Sequence, residues 1–207
     1  MIRPPGFRGA AFGSADDGNG RDDPKARAAI SRRLDIPAGW AWLRQVHGDV
    51  VIRAEVPGSL GEGDAAFSTV ASLPMTVATA DCYPIVLEGD GVAGIAHAGW
   101  RGTAVGVVTA LANAMAAAGS PAVRAAIGPG IGACCYEVGP EVAERFPGFG
   151  AVTTRGTGSI DLPGAIAAQL DGLEVWRSGI CTHCGDGFRS YRRDGTALRQ
   201  VAVAWVA

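Results

Sequence analysis

Three side chains in the sequence have the chemistry to hold a metal ion together: His47 in RQVHGD, Cys82 in ATADCYP and His97 in AHAGWRG. They lie too far apart for a local zinc finger, so a shared site would be assembled by tertiary folding. Two imidazoles and a thiolate would leave the fourth position of a tetrahedral zinc site open, as in catalytic zinc sites. Taken singly, each residue could instead be a satisfied polar group or, for Cys82, a small buried hydrophobic residue.

Residues beside these positions could take part in catalysis or binding. Asp81 could hold an imidazole ring in place or form a turn. Arg101 could bind a phosphate where a strand gives way to a helix, or pair with a carboxylate on the surface. Trp100 could stack on a base or pack in the core. The segment GDGFRSYRRDG adds a candidate binding wall or a solvated loop, with Tyr191, Arg192 and Arg193.

The segment CTHC suggests a zinc knuckle or a redox pair, formed by Cys181 and Cys184. Zinc of that type needs a second pair at matching spacing, whereas Cys134 and Cys135 are adjacent. We therefore expect reduced structural cysteines here. His183 is then a local polar residue or a minor part of the pocket.

The composition indicates one folded domain over residues 1–207, since 48% of the residues are hydrophobic and 18% are charged. The net charge of -2 gives no basic excess for a nucleic-acid partner. No apolar run is long enough for a membrane span, and no apolar signal core precedes the first acidic residues. The odd number of cysteines favours reduced thiols, and we expect a cytoplasmic protein.

The chemistry-bearing residues fall at the ends of predicted strands. The pattern predicts a helix over 24–34, strands on both sides of Gly48-Asp49, and further strands around Leu73-Pro74, with Pro84 at an edge or a strand end. The stretch GVAGIAHA predicts a strand, followed by a tight 99–102 connection and a helix over about 103–118. A strand in AVRAAIGPGIGACCYEVG that runs into a Gly-Pro turn, helices near Pro140 and in GSIDLPGAIAAQLDGL, a strand in LEVWRSGICTHC that ends at the CxxC, and a buried strand in ALRQVAVAWVA complete the chain.

Five motifs occur in one order over about residues 40–206: RQVHGDVV, GDAAFS with TADCYPIVL, AHAGWRGTAVGVV, IGPGIGACCYEVG, and SYRRDG with RQ. Together they resemble the YfiH or laccase-domain family, formerly called multicopper polyphenol oxidases and now regarded as purine nucleoside phosphorylases. The resemblance implies an α/β (α+β) fold, a layered sandwich of mixed β-sheets flanked by helices that is related to the CNF-type cysteine-hydrolase toxins.

The resemblance also implies a zinc ion bound by His47, Cys82 and His97. The implied substrates are purine nucleosides and phosphate, with phosphorolysis of adenosine, inosine or methylthioadenosine and deamination of adenosine. Residues 1–35 diverge from the family pattern, because Ser31-Arg32 stands where Asn-Arg is expected. Ala197-Leu198 likewise replaces the first two residues of TGRQ, and we expect both changes at the rim of the pocket, where they would affect substrate preference.

Other functions use the same residues. In a cysteine hydrolase or amidase, Cys82 would be the nucleophile and His47 or His97 its base. A multicopper oxidase needs about ten imidazoles, so three histidines allow copper only as an adventitious substitute for zinc. A non-enzymatic domain that binds a partner is the third possibility.

Overall fold

The computed structural model describes residues 1–207 as thirteen strands and six helices. None of the six helices has the length and apolar character needed to cross a membrane. The strands are β1 (Ala10–Phe12), β2 (Ala41–Arg44), β3 (Val51–Arg53), β4 (Gly58–Glu62), β5 (Ala65–Ser68), β6 (Met75–Thr79), β7 (Tyr83–Gly89), β8 (Val92–Ala98), β9 (Ala122–Ile127), β10 (Gly150–Val152), β11 (Gly158–Ile160), β12 (Glu174–Arg177) and β13 (Gln200–Ala204). The helices are α1 (Pro24–Leu34), α2 (Trp100–Val105), α3 (Val107–Ala117), α4 (Pro140–Ala143), α5 (Leu162–Ala168) and α6 (Tyr191–Asp194).

Two mixed β-sheets pack face to face. One has the strand order β1-β13-β6-β2-β4 and the other β12-β9-β7-β8-β5-β3, while β10 and β11 form a separate hairpin. A shared apolar core joins Phe12 and Met75 of the first sheet to Val86 and Ile95 of the second. This arrangement confirms the predicted layered α/β sandwich with mixed sheets.

Helices cover the outer faces of the two sheets. On the first sheet, α1 buries Ile30 and Leu34 against the strands. On the second, α3 buries Leu111 and Met115. A Cβ on Gly94 of β8 would lie 2.8 Å from the sulfur of Met115, so glycine at this position lets α3 approach the sheet closely.

The predicted helix over 24–34 is confirmed at both ends. The Asp23 side chain accepts a hydrogen bond from the backbone N–H of Lys25 at 2.8 Å, and Pro24 occupies the first turn, where its missing N–H costs nothing. At the other end Asp35 adopts the left-handed conformation with φ 56°, which stops the helix.

The helical pattern after β8 differs from the prediction. The chain turns helical at Trp100, directly after Gly99, so the predicted 99–102 connection is wrong and Arg101 lies in the first turn of α2. Gly106 then interrupts the helix with φ 87°, a conformation that glycine adopts without steric cost. The apolar spacing continues across this break, which is why the sequence suggested one helix.

Pro84 lies near the start of β7, a central strand between β9 and β8, so the edge position is wrong and the strand-end position is right. Its carbonyl accepts a hydrogen bond from Gly128, one residue beyond the end of β9. The missing N–H of Pro84 therefore falls where the β9 ladder has already ended, and no ladder bond is lost.

Candidate functional site

The fold brings together His47, Cys82 and His97, which we call the His–Cys cluster. Their potential ligand atoms all lie within 4.8 Å of one another, and the two imidazole centroids are 4.7 Å apart with an interplanar angle of 76°. The loop between β2 and β3 supplies His47, the residue before β7 supplies Cys82, and the end of β8 supplies His97. Three motifs that are distant in the sequence thus converge on one point, as a shared site would need.

A single buried carboxylate, that of Asp64, positions both histidines. It accepts hydrogen bonds from the backbone N–H groups of Val46, His47 and Gly48, at 3.1, 3.0 and 2.7 Å. These bonds hold the turn in which His47 takes the left-handed conformation with φ 63°. Asp64 Oδ1 also lies 2.8 Å from His97 Nδ1, and this bond leaves Nε2 of His97 free for a metal.

Of the two roles considered for Asp81, that of holding a histidine ring is wrong, whereas its left-handed backbone with φ 84° is that of a turn residue. Its Oδ1 accepts a hydrogen bond from Thr182 Oγ1 at 2.8 Å, and its Oδ2 accepts one from the backbone N–H of Arg192 at 2.7 Å. Asp81 borders a cavity beside the His–Cys cluster, and its two hydrogen bonds tie the CTHC segment to α6. The motif GDAAFS contains Asp64, but no local pattern in the sequence reveals which groups this residue would contact.

Charge interactions within the cluster favour an ionised sulfur. Burial raises the pKa of the Cys82 thiol, but the charge of His97 and hydrogen bonds from His47 and His97 outweigh it and lower that pKa to about 6. Burial lowers the pKa of His97, but the Cys82 thiolate and the hydrogen bond to Asp64 together raise it to about 9. The pKa of Asp64 is lowered despite burial, because His97 and backbone N–H groups stabilise the carboxylate.

Gly99 gives the cluster its space. A Cβ at this position would lie 2.8 Å from Cys82 Sγ and 3.3 Å from His47 Cδ2. Any side chain here would therefore displace the sulfur or the imidazole. The sequence predicted only a connection at Gly99, because its distance from Cys82 depends on the tertiary fold.

The His–Cys cluster borders a cavity of about 610 Å³. Four arginines and one carboxylate line its wall, and although Asp22 pairs with one of these arginines, the remaining excess of positive charge favours an anionic ligand. The five residues are Arg21, Arg101, Arg192, Arg199 and Asp81. The sequence pattern pointed to Arg101 and Arg192 but not to Arg21, and it indicated no role for Arg199.

Aromatic rings line the same cavity, each beside a guanidinium group. The distances from guanidinium carbon to ring centroid are 4.4, 5.2 and 5.9 Å, for Arg101 over Trp100, Arg192 over Tyr136, and Arg199 over Tyr191. Trp100 also packs on the core, as one of the two alternatives considered for it predicts. Arg101 forms no ion pair with a carboxylate, unlike the surface pairing considered for it.

Arg193 does not form part of this wall. Its guanidinium donates to the backbone carbonyls of Thr182, His183 and Phe188 and pairs with Asp194. The side chain thus holds the CTHC segment against α6, which corrects its assignment to substrate binding. His183 likewise does not line the cavity.

The divergent N-terminal segment reaches the cavity through an unexpected residue. Ser31 is buried and accepts a hydrogen bond from Trp40 Nε1 at 3.0 Å, while Arg32 is exposed away from the cavity. The expectation that these two residues form the rim is therefore wrong, and Arg21 takes that place. Near the C-terminus Arg199 borders the cavity, whereas Ala197 and Leu198 do not.

Comparisons with known proteins agree with this architecture. The sequence model of a family described as multi-copper polyphenol oxidoreductase laccase matches residues 5–207. A purine nucleoside phosphorylase of Deinococcus radiodurans is 39% identical over 199 residues, which is 88% of this chain and 78% of that protein. A purine nucleoside phosphorylase of Streptomyces griseus is 39% identical over 227 residues, covering 97% of this chain and 90% of that one.

A solved structure shares the fold. The hypothetical protein YfiH of Bacillus licheniformis superposes with a TM-score of 0.83, covering 95% of this chain and 92% of that chain at 22% identity.

Proposed function

We propose that this chain, which belongs to the family described as multi-copper polyphenol oxidoreductase laccase, is a zinc-dependent purine nucleoside phosphorylase. It cleaves adenosine, inosine or methylthioadenosine with phosphate to the free base and the sugar 1-phosphate, and it also deaminates adenosine to inosine. The observation that carries this proposal is the arginine-lined cavity beside the His–Cys cluster. The names of the two relatives support the substrate class.

The donor set of the His–Cys cluster fits zinc. Two imidazole nitrogens and a thiolate are ligands that zinc prefers, and three protein ligands leave a position for substrate or water. A zinc ion bound there supplies Lewis-acid chemistry, since it polarises a substrate group or acidifies a water molecule. With three histidines in the chain, copper at this site is a substitute for zinc rather than part of a multicopper centre.

The arginines of the cavity bind the phosphate. A guanidinium offers paired N–H donors that match phosphate oxygens, and Arg101 has no carboxylate partner to compete for them. Two hydrogen bonds fix the position of Arg192. Its Nη1 donates to the backbone carbonyl of Glu137 at 2.7 Å, and its backbone N–H donates to Asp81. The bound phosphate is thereby kept close to the ribose C1′, where it displaces the base.

The aromatic side chains bind the purine. Trp100, Tyr136 and Tyr191 border the cavity, and aromatic rings of this kind stack on flat bases. A cavity of about 610 Å³ lies in the range of about 300–1,000 Å³ typical of small-molecule sites, enough for a nucleoside with phosphate. Stacking excludes water from the base while the arginines hold the phosphate.

Product analysis with and without phosphate tests this proposal. Protein of defined zinc content is incubated with adenosine, inosine or methylthioadenosine, and the products are separated. Adenine or hypoxanthine formed only with phosphate, together with sugar 1-phosphate, is the expected result. Inosine formed from adenosine regardless of phosphate supports the deaminase activity. Free base formed equally without phosphate contradicts phosphorolysis.

A cysteine hydrolase is the second candidate, favoured by the contacts of Cys82. A thiol with a pKa of about 6 beside His97, which is oriented by Asp64, matches the order of nucleophile, base and orienting carboxylate. Metal removal separates the two functions. Activity that survives chelation and ends when a thiol alkylator modifies Cys82 supports the hydrolase, whereas activity that requires stoichiometric zinc supports the phosphorylase.

A further inference from the structure

The four cysteines outside the His–Cys cluster also meet in space. The Sγ atoms of Cys134, Cys135, Cys181 and Cys184, here called the four-cysteine cluster, all lie within 4.8 Å of one another. Their spacing along the chain does not match, because one pair is adjacent and the other is separated by two residues. Tertiary folding supplies the second pair that a zinc site needs.

Two neighbouring strands account for this convergence. β9 and β12 run parallel, so the segments that leave their carboxyl ends emerge at the same edge of the sheet. The segment after β9 carries the adjacent pair and the segment after β12 carries CTHC. Gly130 and Cys181 form a parallel bridge between them, supported by the hydrogen bond from Thr182 N to Gly130 O at 2.9 Å.

The local contacts suit sulfur ligands. The backbone N–H of Gly132 donates to Cys181 Sγ at 3.2 Å, the kind of outer hydrogen bond that stabilises a metal-bound thiolate. Cys134 Sγ and Cys184 Sγ are 3.8 Å apart, and all four thiols are free. Cys134 and Cys181 also line an adjoining cavity of about 250 Å³.

We propose that the four-cysteine cluster binds one zinc ion in a closed, tetrahedral site with four thiolate ligands. Four protein ligands leave no position for a substrate, which is the arrangement of structural zinc. On binding, each S–H bond is replaced by an S–Zn bond and the thiol protons pass to solvent, with no change of oxidation state. This inference stands independently of the proposed nucleoside activity.

The site would fix one wall of the nucleoside cavity. The segment after β9 supplies Ile131 and Tyr136 to that wall. The CTHC segment holds Asp81 through Thr182 Oγ1, and its carbonyls accept from Arg193, the neighbour of Arg192. Apart from the Gly130–Cys181 bridge, the cysteines lie in turns outside the helices and strands, so a metal ion would add a cross-link where backbone pairing is sparse.

Metal analysis of a chain without the His–Cys cluster tests the proposal. In the double variant His47→Ala and Cys82→Ser, purified with a reducing agent and supplied with zinc alone, we expect one equivalent of bound zinc. Adding Cys184→Ser should remove that equivalent or lower the zinc affinity by at least about tenfold, because one of four ligands is lost. The cobalt(II) form should show the visible charge-transfer bands of thiolate ligands, and these should weaken with Cys184→Ser.

Several results would overturn the assignment. They are a folded double variant without stoichiometric zinc, unchanged zinc binding after Cys184→Ser, or stoichiometric iron in place of zinc. A disulfide among the four cysteines, detected by counting thiols in denatured, unreduced protein, would also overturn it.

Cys184 is exposed, so serine is tolerated there, and circular dichroism of each variant confirms its fold. Chelator competition on the unaltered chain, with two zinc equivalents expected, keeps the test valid if a variant does not fold.

Discussion

The two clusters differ in what surrounds their ligand atoms. The His–Cys cluster has three donors, lies at the ends of sheet strands, and opens onto a cavity with four arginines. The four-cysteine cluster has four donors and lies between two irregular segments. A vacant ligand position beside a charged cavity suits chemistry, whereas a complete sulfur shell suits structural support. Donor number and surroundings, rather than ligand type alone, therefore distinguish the two roles proposed for these clusters.

The largest contrast should come from removing one sulfur at each cluster. Cys82→Ala deletes a ligand of the open site, so we expect loss of its metal and a fall in phosphorolysis of more than about 100-fold, beyond the effect of losing an outer partner. Turnover and metal content of the purified variant measure this.

Cys184→Ala is the matched control for that experiment. It removes a sulfur remote from the substrate, so we expect a lower Tm and at least partly retained turnover. Equal loss of turnover without a change in Tm for Cys184→Ala would remove the distinction between the clusters.

Gly99→Ala tests the close packing of the open site. The added Cβ would meet Cys82 Sγ at 2.8 Å, so the sulfur must move. A misplacement of about 1 Å can cost about 100-fold in rate, and we expect a loss of kcat/KM of that order. Gly150→Ala is the control, because a Cβ there meets no atom within 4 Å. Gly99→Ala with normal activity would contradict the observed packing.

Asp64→Asn should weaken metal binding at the His–Cys cluster by about 10–100-fold, the usual effect of losing an outer hydrogen-bond partner. The amide has one acceptor oxygen, so it cannot keep all the bonds that the carboxylate makes to 46–48 and to His97. Zinc titration with a competing chelator measures the change. Asp171→Asn, at an exposed position, should leave the affinity unchanged, and a similar loss in both variants would argue against a specific role for Asp64.

The smallest effect is a difference in thiol reactivity with pH in metal-free protein. The thiolate is the reactive form. A pKa of about 6 therefore predicts that the rate of Cys82 alkylation rises through pH 6 and approaches its maximum at neutral pH. Burial raises the pKa of Cys134 to about 11, so that residue should stay unreactive until much higher pH. Mass spectrometry of alkylated peptides gives both profiles. A midpoint near about 8.5 for both, the value of a free cysteine, would contradict these environments.

Features written in local sequence were predictable. The helix over 24–34 carries its own start and stop signals in Asp23, Pro24 and Asp35. The metal-binding residue types of the His–Cys cluster are rare enough in this chain to be noticed, and the ordered motifs supplied the family. The fold class followed from that resemblance.

Features that depend on tertiary distance were not predictable. Asp64 matters because its carboxylate lies 2.8 Å from His97 Nδ1, and Gly99 matters because a Cβ there would lie 2.8 Å from Cys82 Sγ. The role of Arg193 depends on three carbonyls presented by a folded loop. The spacing of the four cysteines along the chain argued against a zinc site because the two pairs do not match, whereas parallel strands bring the two pairs together.

Restoration of activity by metal tests the central claim most directly. The Cys184→Ala variant, which retains the open site, is chelated, reduced and titrated with zinc. Formation of ribose 1-phosphate from inosine and phosphate is followed together with the zinc content of the variant. The account predicts that turnover rises in proportion to zinc bound at His47, Cys82 and His97 and requires phosphate. Full turnover by protein free of metal, or turnover that persists in Cys82→Ala, would contradict it.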